Sequence, residues 1–367
     1  MDYALDLGFD EVAFTSADPF HQLSEELDQR YQMYRWVNEG MLQLHQAVDP
    51  KNILPSARSL IVLLFDYHKQ SFPPALLGKI GKAYLSRLYF SKNRIFGSRV
   101  KLFRSFLEGK GIQLGMRPAM ADRQAAVRAG LGFFGCNTFL YSKSRGSYVA
   151  PLALAVDKEL EVEVQSPSSR CTEDCQKCIS SCPTGALYAP FRMNPWDCIA
   201  FHTYATGNFP GAPEQIPYRI REKMGSWIYG CDVCQDVCPR NQRRLRQELP
   251  PDSFLEKISH DITLLNLLHM SDDFYHQKVQ PLMYGYIWNK KYLQRNAAIA
   301  LGNTGDPSYA AELGRALKNP EEMVRGYTAW ALGALGGAKS RTVLEQHRKI
   351  EDTPWVQEEV SRALSLV

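Results

Sequence analysis

Long apolar runs are missing from this chain. A membrane-spanning helix needs roughly 18 to 20 apolar residues, and the longest stretch, around residues 60–65, is only strand-sized. The opening Met1-Asp2-Tyr3-Ala4 lacks a basic segment followed by an apolar one, and a twin-arginine signal is absent too. Neither export nor a membrane partner is expected, and the expected location is the cytoplasm. Charge of one sign is also scarce: 43 Lys and Arg against 39 Asp and Glu leave a formal net charge of +4. That bias is too slight to identify a polyanionic partner from totals alone. The eight histidines are scattered without metal-ligand spacing. Cysteine, by contrast, is plentiful, with nine in 367 residues. In a reducing compartment such a set points to metal ligation or redox chemistry instead of disulfides.

The chain reads as α+β in three zones. In residues 1–164, buried strands are expected at 11–14 and 59–65, and helices at 22–46 and 100–110, which makes an α/β domain. Ala129-Gly130-Leu131-Gly132, followed by Gly135 and Gly146, marks backbone that turns tightly or comes close to a ligand. Residues 165–247 hold eight of the nine cysteines among Pro, Gly and short turns, as expected where a metal cluster replaces an apolar core. Residues 248–367 are helical by pattern. Their Ala-Leu-Gly units at 300–302 and 331–333 stand 31 residues apart, each followed by a further helix at 309–318 and 340–349. That period is the mark of a short HEAT-like solenoid, with a plain helical cap as the alternative.

Cys171, Cys175, Cys178 and Cys182-Pro183 form C-x3-C-x2-C-x3-C-P, and Cys231, Cys234 and Cys238-Pro239 form C-x2-C-x3-C-P, with Cys198 between them. These eight thiolates suffice for two [4Fe–4S] clusters in a ferredoxin-like module. In such runs the cysteine before proline ligates the other cluster. The expected sets are therefore Cys171, Cys175, Cys178 and Cys238 for the first, and Cys182, Cys198, Cys231 and Cys234 for the second. Two four-cysteine zinc sites are the competing reading. The first spacer, Thr172-Glu173-Asp174, is one residue longer than the usual two.

With these motifs in place, the chain resembles the epoxyqueuosine reductase family over most of its length. The likeness is carried by residues 12–18, Asp122-Arg123, Ala129-Gly130-Leu131-Gly132-Phe133, Asn137, Gly146-Ser147-Tyr148, Cys178 through Leu187, Ile228 through Pro239, and Arg295-Asn296-Ala297. It implies a cobalamin-dependent oxidoreductase of tRNA queuosine modification, with a base-off corrinoid held by the N-terminal domain beside a cluster. Gly132, Gly135, Asn137, Gly146, Ser147 and Tyr229 are the implied corrinoid-binding residues, and a flavodoxin or ferredoxin would be the low-potential donor to a monomer. Three positions depart from the family. Met116 stands where the family carries its proposed acid, and methionine cannot act as a general acid. The family's Gly-Lys-Asn is Gly135-Cys136-Asn137 here, and a Tyr-His pair is missing from residues 96–100. Together they imply altered chemistry or substrate. A corrinoid reductase of a small molecule such as an organohalide, or a corrinoid-free electron-transfer protein, are the alternative readings.

Asp122 and Cys136 are the candidate catalytic residues, with Asp66, Tyr67, His68 and Tyr148 as further proton donors. A capping role for Asp122 and an inert buried thiol at Cys136 are the plainer readings. Arg243, Arg244, Lys290, Lys291, Arg295 and Arg325 are candidate phosphate contacts for a tRNA, with Tyr284, Tyr286, Trp288 and Tyr292 nearby to stack on bases. A solvated face and core packing are the corresponding plain readings.

Overall fold

The computed structural model describes the chain except for residues 39–42, 86–94, 116–119, 163–170, 173 and 284. Its N-terminal part is an antiparallel sheet of order β1-β2-β6-β3, formed by β1 (Glu11–Ser16), β2 (Ser59–Asp66), β3 (Leu114–Gly115) and β6 (Val149–Val156). A separate hairpin pairs β4 (Gly132–Phe134) with β5 (Leu140–Ser142). Every residue of β2 is buried because the sheet is covered on both faces, which turns a strand into a continuous apolar run. Period 2 then sends alternate side chains into different cores. Leu60, Val62 and Leu64 join Ala125 and Ala126 on one face, while Ile61, Leu63 and Phe65 meet Phe96, Val100 and Phe103 on the other.

The expected helix at 22–46 is divided: α1 (His21–Gln29) and α2 (Tyr31–Asn38) come first, and a short α3 (Leu44–Ala47) follows residues outside the description. Helix α4 (Ile95–Gly109) covers one face of the sheet and α5 (Asp122–Arg128) the other. Within the cysteine-rich stretch, α6 (Lys177–Ser180), α7 (Ile199–Tyr204), α8 (Val233–Asp236) and α9 (Pro239–Leu245) are all short.

Beyond residue 250 the chain is helical and ends in α10 (Lys291–Gly302), α11 (Ala310–Ala316), α12 (Glu322–Leu335), α13 (Gly337–Arg348) and α14 (Pro354–Leu364). The repeated Ala-Leu-Gly marks where every second helix packs closely, α10 on α12 and α12 on α14. A Cβ on Gly302 would sit 2.8 Å from Ala331 Cα, and one on Gly333 2.8 Å from Ala363 Cα. The C-terminal core does not begin at residue 248. Leu76, Ile80 and Leu85 pack into it together with Ile199, Ile220 and Ile228, and bridges join Ser71 to Pro251, Ile80 to Tyr229 and Leu85 to Met283. Among the described residues no helix is long and apolar enough to cross a membrane.

Candidate iron–sulfur and cofactor site

Each run of cysteines is delivered by a one-turn helix, α6 for Cys178 and α8 for Cys234. Two others stand at helix N-caps: Cys198 before α7, and Cys238 before α9 with Pro239 in the first turn. A proline there sacrifices no needed N–H. The Cys198 thiol receives hydrogen bonds from the Ala200 and Phe201 amides, but its burial outweighs them and raises its pKa.

The thiols fall into two neighbourhoods. Burial first, then the charges of Cys238, Cys171 and Cys175, push the Cys178 thiol up to about 11. Burial together with Cys198 and Cys182 raises Cys231 and Cys234. The packing also brings Cys182 and Cys234 up to Cys171 and Cys178, so the division into two ligand sets remains what the spacing proposes. Buried thiols raising one another's pKa call for cationic metal to hold them as thiolates. A cubane presents a separate iron to each of four thiolates, and this stretch supplies eight cysteines.

Of the residues implied for the corrinoid, Gly132 and Gly135 pack within the β4–β5 hairpin, while Asn137, Gly146 and Ser147 meet the cluster segment. A Cβ on Gly132 would lie 2.2 Å from Tyr141 O, and one on Gly135 2.5 Å from the Tyr141 ring. Gly146 has φ +66 and would bring a Cβ within 2.3 Å of Asn241 Oδ1. Ser147 Oγ donates to Gln235 Oε1 at 2.8 Å while its amide donates to Asn241 Oδ1 at 3.0 Å. Asn137 Nδ2 donates to Tyr141 OH at 2.9 Å and Cys234 O at 3.0 Å. Tyr229 is fully buried against the rings of Tyr84 and Tyr204. The close approaches that the glycines foretold are to the protein itself.

A group of aromatic side chains lies elsewhere, near Cys198. Arg123 is exposed and donates to Thr138 O at 3.1 Å, and burial lowers its pKa, opposed by Tyr34, Asp122, Tyr286 and Tyr204. Tyr204 stacks on Tyr286 at 5.0 Å and lies 5.8 Å from Tyr84. Burial raises the phenols of Tyr34, Tyr84 and Tyr204, with Cys198 adding to each. Aromatic walls, one guanidinium and an adjoining cluster thiol suit a broad ring system fringed with amides. The sequence offered one hint of this, Arg123 in the Asp122-Arg123 pair.

The proposed proton donors are mostly committed. Asp122 Oδ1 accepts from Ala153 N at 2.8 Å, tying α5 to β6. Asp66 is buried, with Arg244 at 2.6 Å and Arg145 at 3.2 Å. Tyr148 OH donates to Asp236 at 2.7 Å, and Tyr67 is buried in the core of the sheet domain. Burial, then Lys82 and Arg244, pull His68 down to about 4. Met116 lies outside the described residues. Cys136 is buried, and burial followed by the neighbouring Cys171 pushes its thiol up to about 12.

The basic residues scatter. Arg295 is fully buried and donates to the carbonyls of Thr206, His202 and Thr203, so it presents no charge to a nucleic acid. Lys290 pairs with Asp272, Lys291 with Glu321, Arg325 with Glu351 and Arg244 with Asp66. Arg243 stays exposed on α9. Tyr292 is buried with its hydroxyl on Gly207 O, Tyr286 packs on Tyr204, Trp288 is exposed, and Tyr284 lies outside the described residues.

Residues 170–241 match the 4Fe-4S double cluster binding domain, and residues 289–365 match HEAT repeats. Similar proteins include the epoxyqueuosine reductase of Bacillus cereus, 30% identical over 382 residues spanning 100% of this chain and 96% of the relative. That of Bacillus subtilis is 29% identical over 385 residues, spanning 100% and 95%. Among solved structures, Bacillus subtilis epoxyqueuosine reductase with its aspartate catalytic loop swung out of the active site has a TM-score of 0.83 at 29% identity, covering 100% of this chain and 97% of that one. Epoxyqueuosine reductase with an epoxyqueuosine-modified tyrosine tRNA stem loop has a TM-score of 0.83 at 28% identity, covering 100% and 96%.

Proposed function

The chain belongs to the epoxyqueuosine reductase family, and we propose that it is a corrinoid-dependent iron–sulfur reductase acting on a modified tRNA base. The observation that carries this reading is the likeness to epoxyqueuosine reductases along the whole chain, and we read the aromatic group around Arg123 near Cys198 as the wall of a cofactor recess. A bound corrinoid would supply a strongly reducing cobalt for two-electron chemistry. The protein supplies position and charge. Tyr84, Tyr204 and Tyr286 wall the recess and limit water, Arg123 offers a fixed cation to ring substituents, and Tyr34 is anchored through its hydroxyl to Met193 O at 2.9 Å. Cys171, Thr172 and residues 174–177 are exposed or partly buried, which suits electron entry at the first cubane from a flavodoxin or ferredoxin. The second cubane, ligated in part by Cys198, adjoins the recess. The substrate proton comes from a group other than residue 116, because a thioether has none to give.

Met116 favours a second reading, in which the same cofactors reduce a different substrate such as an organohalide. Both are tested by loading the anaerobic protein with iron, sulfide and cobalamin, then supplying a reductant and an epoxyqueuosine-modified stem loop. Conversion to queuosine is expected. Full iron content without any base-off cobalamin spectrum overturns the corrinoid reading. Cobalamin binding without conversion overturns the substrate and leaves the second reading in place.

A further inference from the structure

A ninth thiol, Cys136, packs among the thiols assigned to the cubanes, with Cys171, Cys178, Cys182 and Cys234 in the same group. Cys136 is 7% exposed and packs in one apolar cluster with Cys178 and Leu187, with Cys171 against them. The turn carrying it is firmly held. Cys136 O accepts from Phe191 N at 2.9 Å, and the next residue, Asn137, donates to the backbone of Cys234, itself one of the second set. Cys171, by contrast, is only partly buried and is separated from Cys175 by three residues where two are usual in this framework. A fixed, buried thiol therefore abuts the ligand whose spacing is irregular.

We infer that Cys136 is a ligand of the first cubane, able to take the iron that Cys171 serves. The inference rests on the reading of this segment as a two-cubane module. In the exchange one Fe–S bond to Cys171 breaks and one to Cys136 forms. The Cys136 thiol gives up its proton and the released Cys171 thiolate takes one up, so no electron moves and the net charge is unchanged. Ligation from the rigid β4–β5 turn would keep the cubane complete while the Cys171 loop moves, for instance when a donor protein docks on it.

The test is anaerobic reconstitution of the full-length chain, with iron and sulfide analysis and EPR of oxidised and reduced samples. Cys171→Ala is expected to retain about eight irons, the content of two cubanes, with no three-iron signal after oxidation. Cys136→Ala is expected to retain the same content through Cys171. The double variant is expected to lose iron from the first cubane and to show the three-iron signal, while the reduced signal of the second cubane persists and certifies the fold. Loss in Cys171→Ala as complete as in the double variant overturns the inference, as does a double variant that keeps every iron. If alanine at 171 prevents folding, Cys171→Ser read by the same signals replaces it. Wild-type protein that binds zinc or holds no cubane sinks the underlying reading itself, an outcome distinct from either failure among the variants.

Discussion

Arg221 and Glu359 meet through two parallel hydrogen bonds of 3.0 and 2.9 Å, both side chains sealed from solvent. The guanidinium also stacks between Tyr218 and Tyr327, with ring centroids at 4.1 and 4.5 Å. The pair joins the stretch leading into Cys231 to the last helix. Removing one member leaves the other charged and buried, so Glu359→Gln is expected to cost about 3–5 kcal/mol. Replacing both, Arg221→Met with Glu359→Leu, is expected to cost far less. Urea unfolding midpoints of the three proteins check this.

The glycine of the β4–β5 hairpin has no room to spare. Gly132→Ala would drive a Cβ against Tyr141 O, and a loss of about 1–3 kcal/mol is expected from the overpacking. Gly109, at the end of α4, meets nothing within 4 Å. Gly109→Ala should be neutral or stabilise by up to about 1 kcal/mol, measured in the same unfolding series.

Stability should fall on mild acidification because of His68. The folded protein holds this histidine neutral until about pH 4, whereas the unfolded chain takes up a proton near pH 6.5. The folded pKa is the lower one, so the contribution is complete above 6.5 and disappears as pH falls toward 4. Between pH 7 and 5 the wild type should lose up to about 2 kcal/mol from this group, and His68→Gln should lack that component. Denaturant titrations at the two pH values decide it.

RNA binding and folding should separate cleanly between two arginines. Arg243→Ala is expected to weaken stem-loop binding and to reduce the salt slope by about one. Arg295→Met should leave the slope unchanged and instead lower thermal stability and the iron held with Cys198, since its carbonyl partners lie on and just after α7. Binding isotherms at several salt concentrations, with iron analysis, distinguish the two.

What could be read in advance was whatever depends on neighbours along the chain. Cysteine spacing encodes cubane ligation because the loops themselves set which thiolates can share a cluster, and the all-apolar run of β2 encodes a sheet covered on both faces. The Ala-Leu-Gly period was legible for the same reason: a helix crossing needs small residues at one recurring position. Contacts between distant segments were not. Gly146 announced a close approach, yet nothing local says that the approaching group is Asn241. Arg295 looked like part of a basic face, but its partners are carbonyls 89 to 93 residues away, and only the packed structure brings them to it. The aromatic group around Arg123 likewise gathers residues from both ends of the chain, including Tyr34 and Tyr286.

The stretch from Ser71 to Leu85 leaves the ribosome long before Tyr229, Pro251 and Met283, the residues it bridges, have been made. The sheet can assemble early from β1, β2 and β6, but two of this strap's counterparts, Pro251 and Met283, are made only after the last cysteine, Cys238. The end of the strap at Leu85 can therefore be fastened to Met283 only after every cysteine has been made.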